Sequence, residues 1–193
     1  MTQQTTKKHF HMIFKSYFLI GFFLISLAAS AQTELPLDST TKKITYTEVV
    51  QVAGANKTDL YGRIKTSLKG CTAITDDKAS ASYKGKCSFK VTYPSPMKGF
   101  PHEGIINYVV NVGAKDGKYK YTITDIVHES NRGNGGKLEN AIPECGKYTL
   151  ILPGWASIKN SAKVQFPKIV DQLKSGMEGS SGKTAEPAQK DDW

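Results

Sequence analysis

Arginine is nearly missing from this chain: Arg63 and Arg132 are its only two. Bidentate recognition of phosphate or base edges favours arginine, so no nucleic-acid partner is expected. Cysteine is scarce and odd in number, with Cys71, Cys87 and Cys145 in no CxxC or zinc-knuckle spacing. Past the first thirty-one residues the only histidines are His102 and His128, outside any HxxxH or HExxH arrangement, so no metal site is expected. The run GNGGK at 133–137 suggests a phosphate cradle, but it lacks the flanking strand, helix and Walker spacing and reads as a flexible loop. No cofactor motif, no internal repeat and no paired carboxylates stand out. No catalytic residue is assigned.

One apolar run is present. Lys7, Lys8 and Lys15 precede YFLIGFFLISLAA at 17–29, which leads into Ala29-Ser30-Ala31. A positive start, about a dozen apolar residues and small residues at −3 and −1 describe a secretory signal peptide. The run is short for a span of roughly 20 residues, and no Cys follows it to carry a lipid. Cleavage after Ala31 is expected, with no transmembrane span thereafter and a periplasmic or secreted location in a Gram-negative envelope. Beyond residue 31 the chain carries 23 basic and 17 acidic residues, a net of +6. Lysines at that density keep a surface soluble, and they also give weak attraction to anionic lipid or polysaccharide.

The remainder reads as a leader at 32–42, one domain at 43–177 and a disordered tail at 178–193. KITYTEVVQV at 43–52 alternates and predicts a strand, with Glu48 intruding on its apolar side. Asn56 fits a helix N-cap, and Leu60, Tyr61, Ile64 and Leu68 recur at helical spacing up to Gly70, placed as a left-handed stop. Asn56-Lys57-Thr58 also spells a glycosylation sequon, but capping already accounts for Asn56. CTAIT at 71–75 and YKGKCSFKVTY at 83–93 predict a hairpin, and the proline-rich 93–104 a loop. Asp116-Gly117 between alternating runs is a two-residue hairpin turn. It sets Ile106 opposite Val127, Val110 opposite Ile123 and Val112 opposite Tyr121. A polar, glycine-rich stretch at 130–147 follows, then a short apolar run at 148–152. Phe166, Ile169, Val170, Leu173 and Met177 predict a closing helix over 166–176, with Pro167 in its first turn. From Ser175 onward the composition is that of a loose tail.

A turn centred on Ala79 sets Cys71 opposite Cys87 on neighbouring strands, within disulfide range, and leaves Cys145 over. A one-residue slip would instead leave three separate thiols packed as small hydrophobes. The pleat predicts two unlike sheet faces. Tyr46, Val50, Phe89, Val91, Tyr108, Val110, Tyr121 and Ile123 face the helices. Lys84, Lys86, Lys90, Lys118 and Lys120 stand on the other side with Thr45, Thr47, Asn107, Asn111, Thr122 and Thr124. Such a face is an ordinary solvated one; it is also a shallow basic platform for an acidic glycan or protein. It holds no aromatic, which disfavours stacking on sugars or bases. Asp125 and Glu48 are the odd residues, both aimed by alternation at the apolar side. A hydrogen bond to Tyr108 or a lysine, or a local bulge, would account for them.

KITYTEVVQV, NKTDLYGRIKTSL, ASYKGKCSFKVTY and INYVVNVGAKDGKYKYTITDI resemble the family catalogued as domain of unknown function 4468, over about 35–130. The resemblance implies a TATA-binding-protein-like fold: an α+β domain in the order β-α-β-β-β-β-α, with a curved antiparallel sheet of about five strands and two helices on one face. It carries no catalytic residues, and its fold name does not imply DNA binding. The expectation is a non-enzymatic envelope protein that binds a protein or polysaccharide partner through the open face. The alternative is a small hydrolase or thiol enzyme using His128 and Cys145.

Overall fold

The structure, a computed structural model, describes residues 34–97 and 99–179. The expected signal segment at 1–31 and the expected tail from 180 onward lie outside the described residues. The elements are β1 (Tyr46–Gln51), α1 (Lys57–Ser67), β2 (Thr72–Asp77), β3 (Ser82–Tyr93), β4 (His102–Lys115), β5 (Lys118–Glu129), β6 (Gly136–Lys137) and α2 (Leu152–Glu178). The strands form one antiparallel sheet in the order β1-β5-β4-β3-β2, and the two-residue β6 pairs with β5. The α+β order predicted from the sequence is therefore present, with one short strand added.

Local chemistry explains most boundaries. Asn56 Oδ1 accepts the Asp59 N–H at 2.8 Å and so caps α1. The β4–β5 turn needs a left-handed residue, which Gly117 supplies at φ 77°. Asp116 in the same turn accepts the Lys57 N–H at 2.7 Å and ties the hairpin tip to the start of α1.

Both helices cover one sheet face. Leu60 and Ile64 of α1 and Trp155, Ile158, Ala162, Phe166, Val170, Leu173 and Met177 of α2 are buried against it. Phe166 sits at the centre, stacked on Tyr46 at 5.3 Å and meeting Phe89 and Tyr108 edge-on at 5.6 and 5.3 Å. Offset and edge-to-face pairs of this kind add to the burial of area itself.

Five expectations are corrected. The closing helix begins at Leu152, with Pro153 in its first turn, and Pro167 lies inside it. The apolar stripe set by Trp155, Ile158 and Ala162 carries the helix through the proline. Ser175–Glu178 is helical, not tail, because Met177 is buried in the core. Gly70 has no left-handed φ; α1 closes at Leu68, whose N–H donates to the Ile64 carbonyl. Tyr93 pairs with His102, so the ladder continues into the span expected as loop. Ile106 faces His128 rather than Val127, because the β4–β5 register shifts by one between Asn107 and Val109. Asp125, at φ 53°, lies on β5 at this irregularity, and its side chain is exposed and ion-paired to Lys43 at 2.6 Å. Beyond it Ile126 and His128 are the buried residues of β5.

Candidate binding face

The face of the sheet away from the helices is built by alternation. On β3 the side chains of Lys84, Lys86, Ser88 and Lys90 are exposed, while Tyr83, Cys87 and Val91 are buried. On β5, Lys118, Lys120, Thr122 and Thr124 are half-exposed and Tyr119, Tyr121 and Ile123 are buried. Strand β4 lies between and presents Ile105, Asn107, Val109 and Asn111. The lysines are not evenly spread. Lys84 is level with Asn111 and Thr122, whereas Lys120 is level with Gly113 and Ser82. Positive charge thus runs diagonally from Lys118 and Lys120 on β5 to Lys84, Lys86 and Lys90 on β3. Among the described residues, Lys84, Lys86, Lys90 and Lys120 make no ion pair.

Hydroxyls occupy the β1 side of the face. Thr47 and Thr122 hydroxyls lie 3.1 Å apart, and those of Thr45 and Thr124 3.3 Å apart. Cross-strand threonine pairs hold two strands together at no cost in burial. The aliphatic members Ile105, Val109 and Val127 were not singled out from the sequence. Ile105 and Val109 share the alternation of Asn107 and Asn111 and were legible there; Val127 joins the face only through the register shift.

On the helix side the charged groups are paired. Glu48 accepts the Tyr121 hydroxyl at 3.0 Å and pairs with Lys174 of α2 at 2.5 Å. Burial, then the neighbouring Glu48, holds the Tyr121 phenol well above its usual range. Asp76 takes both Lys65 and Tyr61, which lowers its carboxyl pKa and ties α1 to the edge strand β2.

Cys71 and Cys87 are joined by a disulfide with their Cα atoms 4.4 Å apart, and Cys145 is free and half-buried. A crevice of about 210 Å³ opens beside the bridge, lined among others by Ser67, Tyr108, Ile123 and Gln172. No charged side chain lines it, so it offers no counter-charge to an ionised ligand.

The residues of the suggested hydrolase do not converge. His128 is fully buried between Tyr93 and Trp155, with ring centroids 5.3 and 6.2 Å away. Its Nδ1 accepts the Gly135 N–H at 3.1 Å, and Nε2 is buried without a partner. Burial pushes its pKa down to about 4, opposed by the charge of Glu129. Glu129 and Asp125 side chains are exposed, and no hydrogen bond joins His128 to Cys145. A general base must reach both its nucleophile and a substrate proton; His128 in this position reaches neither. The glycine-rich stretch expected as a flexible loop packs instead against this ring, with β6 paired to Val127 and His128. Among the described residues, no three His, Cys, Asp or Glu side chains gather in a way that would hold a metal ion.

Residues 46–129 match the family model described as "Domain of unknown function (DUF4468) with TBP-like fold". Among solved structures, a DUF4468 family protein from Bacteroides ovatus aligns at 15% identity with TM-score 0.58, covering 79% of this chain and 93% of its own. A TBP-like protein from Parabacteroides distasonis aligns at 18% identity with TM-score 0.46, covering 72% and 97%. At such identities the first of these speaks for the fold alone. No curated protein matches the chain.

Proposed function

Starting from residues 46–129 as a member of the DUF4468 family, we propose that this chain is an exported, non-enzymatic binding module of the Gram-negative envelope. Its open sheet face takes an anionic partner, a protein or a polysaccharide. The observation that carries the reading is the set of Lys84, Lys86, Lys90 and Lys120 on one face without ion-pair partners among the described residues. Lysines left unpaired beside one another repel, and a partner's negative charge relieves that repulsion. Nucleic acid is disfavoured because the face holds neither arginine nor an aromatic ring.

Export is supported by the lysine-flanked apolar run ending at Ala31 and by a disulfide, a bond that persists in oxidising compartments. Among the described residues no helix is long and apolar enough to cross a membrane. The reading is tested in two steps. Mass spectrometry of the exported form is expected to begin at Gln32; intact Met1 in a soluble cytoplasmic fraction overturns export. Retention of envelope components on immobilised protein is expected to fall for Lys84→Glu/Lys86→Glu/Lys90→Glu, and unchanged retention overturns the open face as the binding surface.

A further inference from the structure

The partner's chemistry is readable from what stands between the lysines, and this step rests on the open-face reading above. Across the β3–β4 ladder, Lys86 is opposite Val109 and Lys90 is opposite Ile105. On the far side of β4, Thr124 is opposite Val109 and Val127 is opposite Asn107. Directly opposed side chains on one face have Cβ atoms about 4.5–5.5 Å apart. Each of these two lysines therefore has an aliphatic neighbour within reach, and Val127 lies diagonally from Ile105 and Val109. Ile105 keeps 42% of its surface in water although its strand is flanked on both sides. Glu103, level with Thr92, lies on this side beyond Lys90, and Glu129 lies level with Lys90 across Ile105; together they bound the positive region.

We propose that the open face receives an acidic protein segment, whose carboxylates meet Lys86 and Lys90 while its aliphatic side chains cover Ile105, Val109 and Val127. Three features select this partner. An acidic polysaccharide supplies carboxylates but no aliphatic side chain to cover Ile105, and its ring faces are usually met by aromatics, which this face lacks. An anionic membrane is drawn to the lysines, but lying flat on it would press Glu103 and Glu129 against like charge. A protein segment satisfies both the cations and the aliphatic strip, as interfaces do with an apolar centre and a charged rim.

Binding is measured by fluorescence anisotropy and backbone amide NMR on the full exported chain. The probes are an acetylated, amidated Glu-Val-Glu-Ile-Glu-Thr-Glu-Val peptide and its charge-matched partner, with serine in place of valine and isoleucine. Polygalacturonate and phosphatidylglycerol vesicles complete the set. The aliphatic peptide is expected to bind at least about fivefold tighter than the serine peptide, from the apolar area it covers. Amide shifts are expected to gather on β3 and β4. That preference is expected to vanish in Ile105→Thr/Val109→Thr, and binding of both peptides to fall at least about tenfold in Lys86→Glu/Lys90→Glu. Equal affinity for the two peptides, or tighter binding of polygalacturonate or vesicles, overturns the inference and leaves the basic face standing. Indifference of every probe to Lys86→Glu/Lys90→Glu overturns the open-face reading as well. The two-peptide comparison on the unaltered chain decides the matter even if a variant fails to fold.

Discussion

His128 Nδ1 accepts the backbone N–H of Gly135, so a side chain buried on the sheet pins the glycine-rich segment that follows it. An acceptor nitrogen carries no proton, which fixes the ring as its neutral Nε2–H form. Protonation puts a proton on Nδ1 and breaks this bond inside an apolar box of Tyr93 and Trp155. Burial holds the His128 pKa at about 4 in the folded chain, against about 6.5 for an ordinary histidine. Below pH 6.5 the unfolded chain takes up a proton that the folded one refuses, so stability falls as pH drops from 6.5 towards 4 and this group adds nothing further below that. The loss attributable to it is up to about 3 kcal/mol. Urea unfolding at pH 7.5 and 4.5 is expected to show that slope, and His128→Gln to flatten it; an equal slope in both proteins would sink the assignment.

Gly104 faces the same ring from β4. A Cβ there would lie 2.3 Å from His128 Nε2, with the Glu129 carbonyl at 3.1 Å. Its φ is not left-handed, so the constraint is space rather than backbone conformation. The ring has nowhere to go, since Gly135 carries the other nitrogen's partner. Gly104→Ala is therefore expected to cost about 1–3 kcal/mol by overpacking. Gly54→Ala is not a fair control, because Gly54 has φ 76°; Gly62→Ala is, with nothing within 4 Å of its added carbon. Chemical denaturation of the two variants checks the contrast.

The β4–β5 hairpin was legible because its turn carries a chemical mark, Asp116-Gly117, and because two alternating runs agree on one register. The shift near Asp125 carries a weaker mark, a carboxylate out of alternation, for which a local bulge is one account. The packing of Ile126 and His128 beyond it shows where the faces exchange. Pro167 misled in the opposite way. Proline is at home in a first turn, and the sequence holds a second such proline, Pro153, which is the one that lies there. The intervening Ala156, Ser157, Asn160 and Ser161 thin out the apolar signal, so the first half of α2 shows in the sequence only as Trp155, Ile158 and Ala162. The lysine platform was readable from β3 alone. The fit of the glycine-rich segment to His128 and Trp155 was not, because small residues announce space without naming what fills it.

Among the cysteines, alkylation of the non-reduced protein under denaturing conditions is expected to label Cys145 alone, one thiol per monomer. Peptide mapping decides it: label on Cys71 or Cys87 contradicts the Cys71–Cys87 bridge. The bridge spans a sequence separation of 16, and closing a loop of this size stabilises by about 2–3 kcal/mol. Cys71→Ala/Cys87→Ala is expected to lose about that much in urea unfolding, while Cys145→Ser loses less, since its thiol is only half-buried.

Pro167 lies one residue after Phe166, the ring at the centre of the core, and is itself exposed. A proline inside a helix removes the hydrogen bond to the carbonyl four residues back, here Lys163, and its ring crowds that carbonyl. Two outcomes are physically distinct. If the helix merely tolerates Pro167, restoring the donor with Pro167→Ala raises stability by about 1–3 kcal/mol. If the proline instead sets the helix path that seats Phe166 against Tyr46, Phe89 and Tyr108, replacing it loosens that cage and the gain disappears. The solvent-exposed position of the proline ring favours the first outcome. Thermal unfolding of Pro167→Ala is expected to show a higher midpoint than the unaltered chain. Near-ultraviolet circular dichroism from the aromatic cage is expected to stay unchanged. A lower midpoint with an altered aromatic signal would mean that the proline shapes the core.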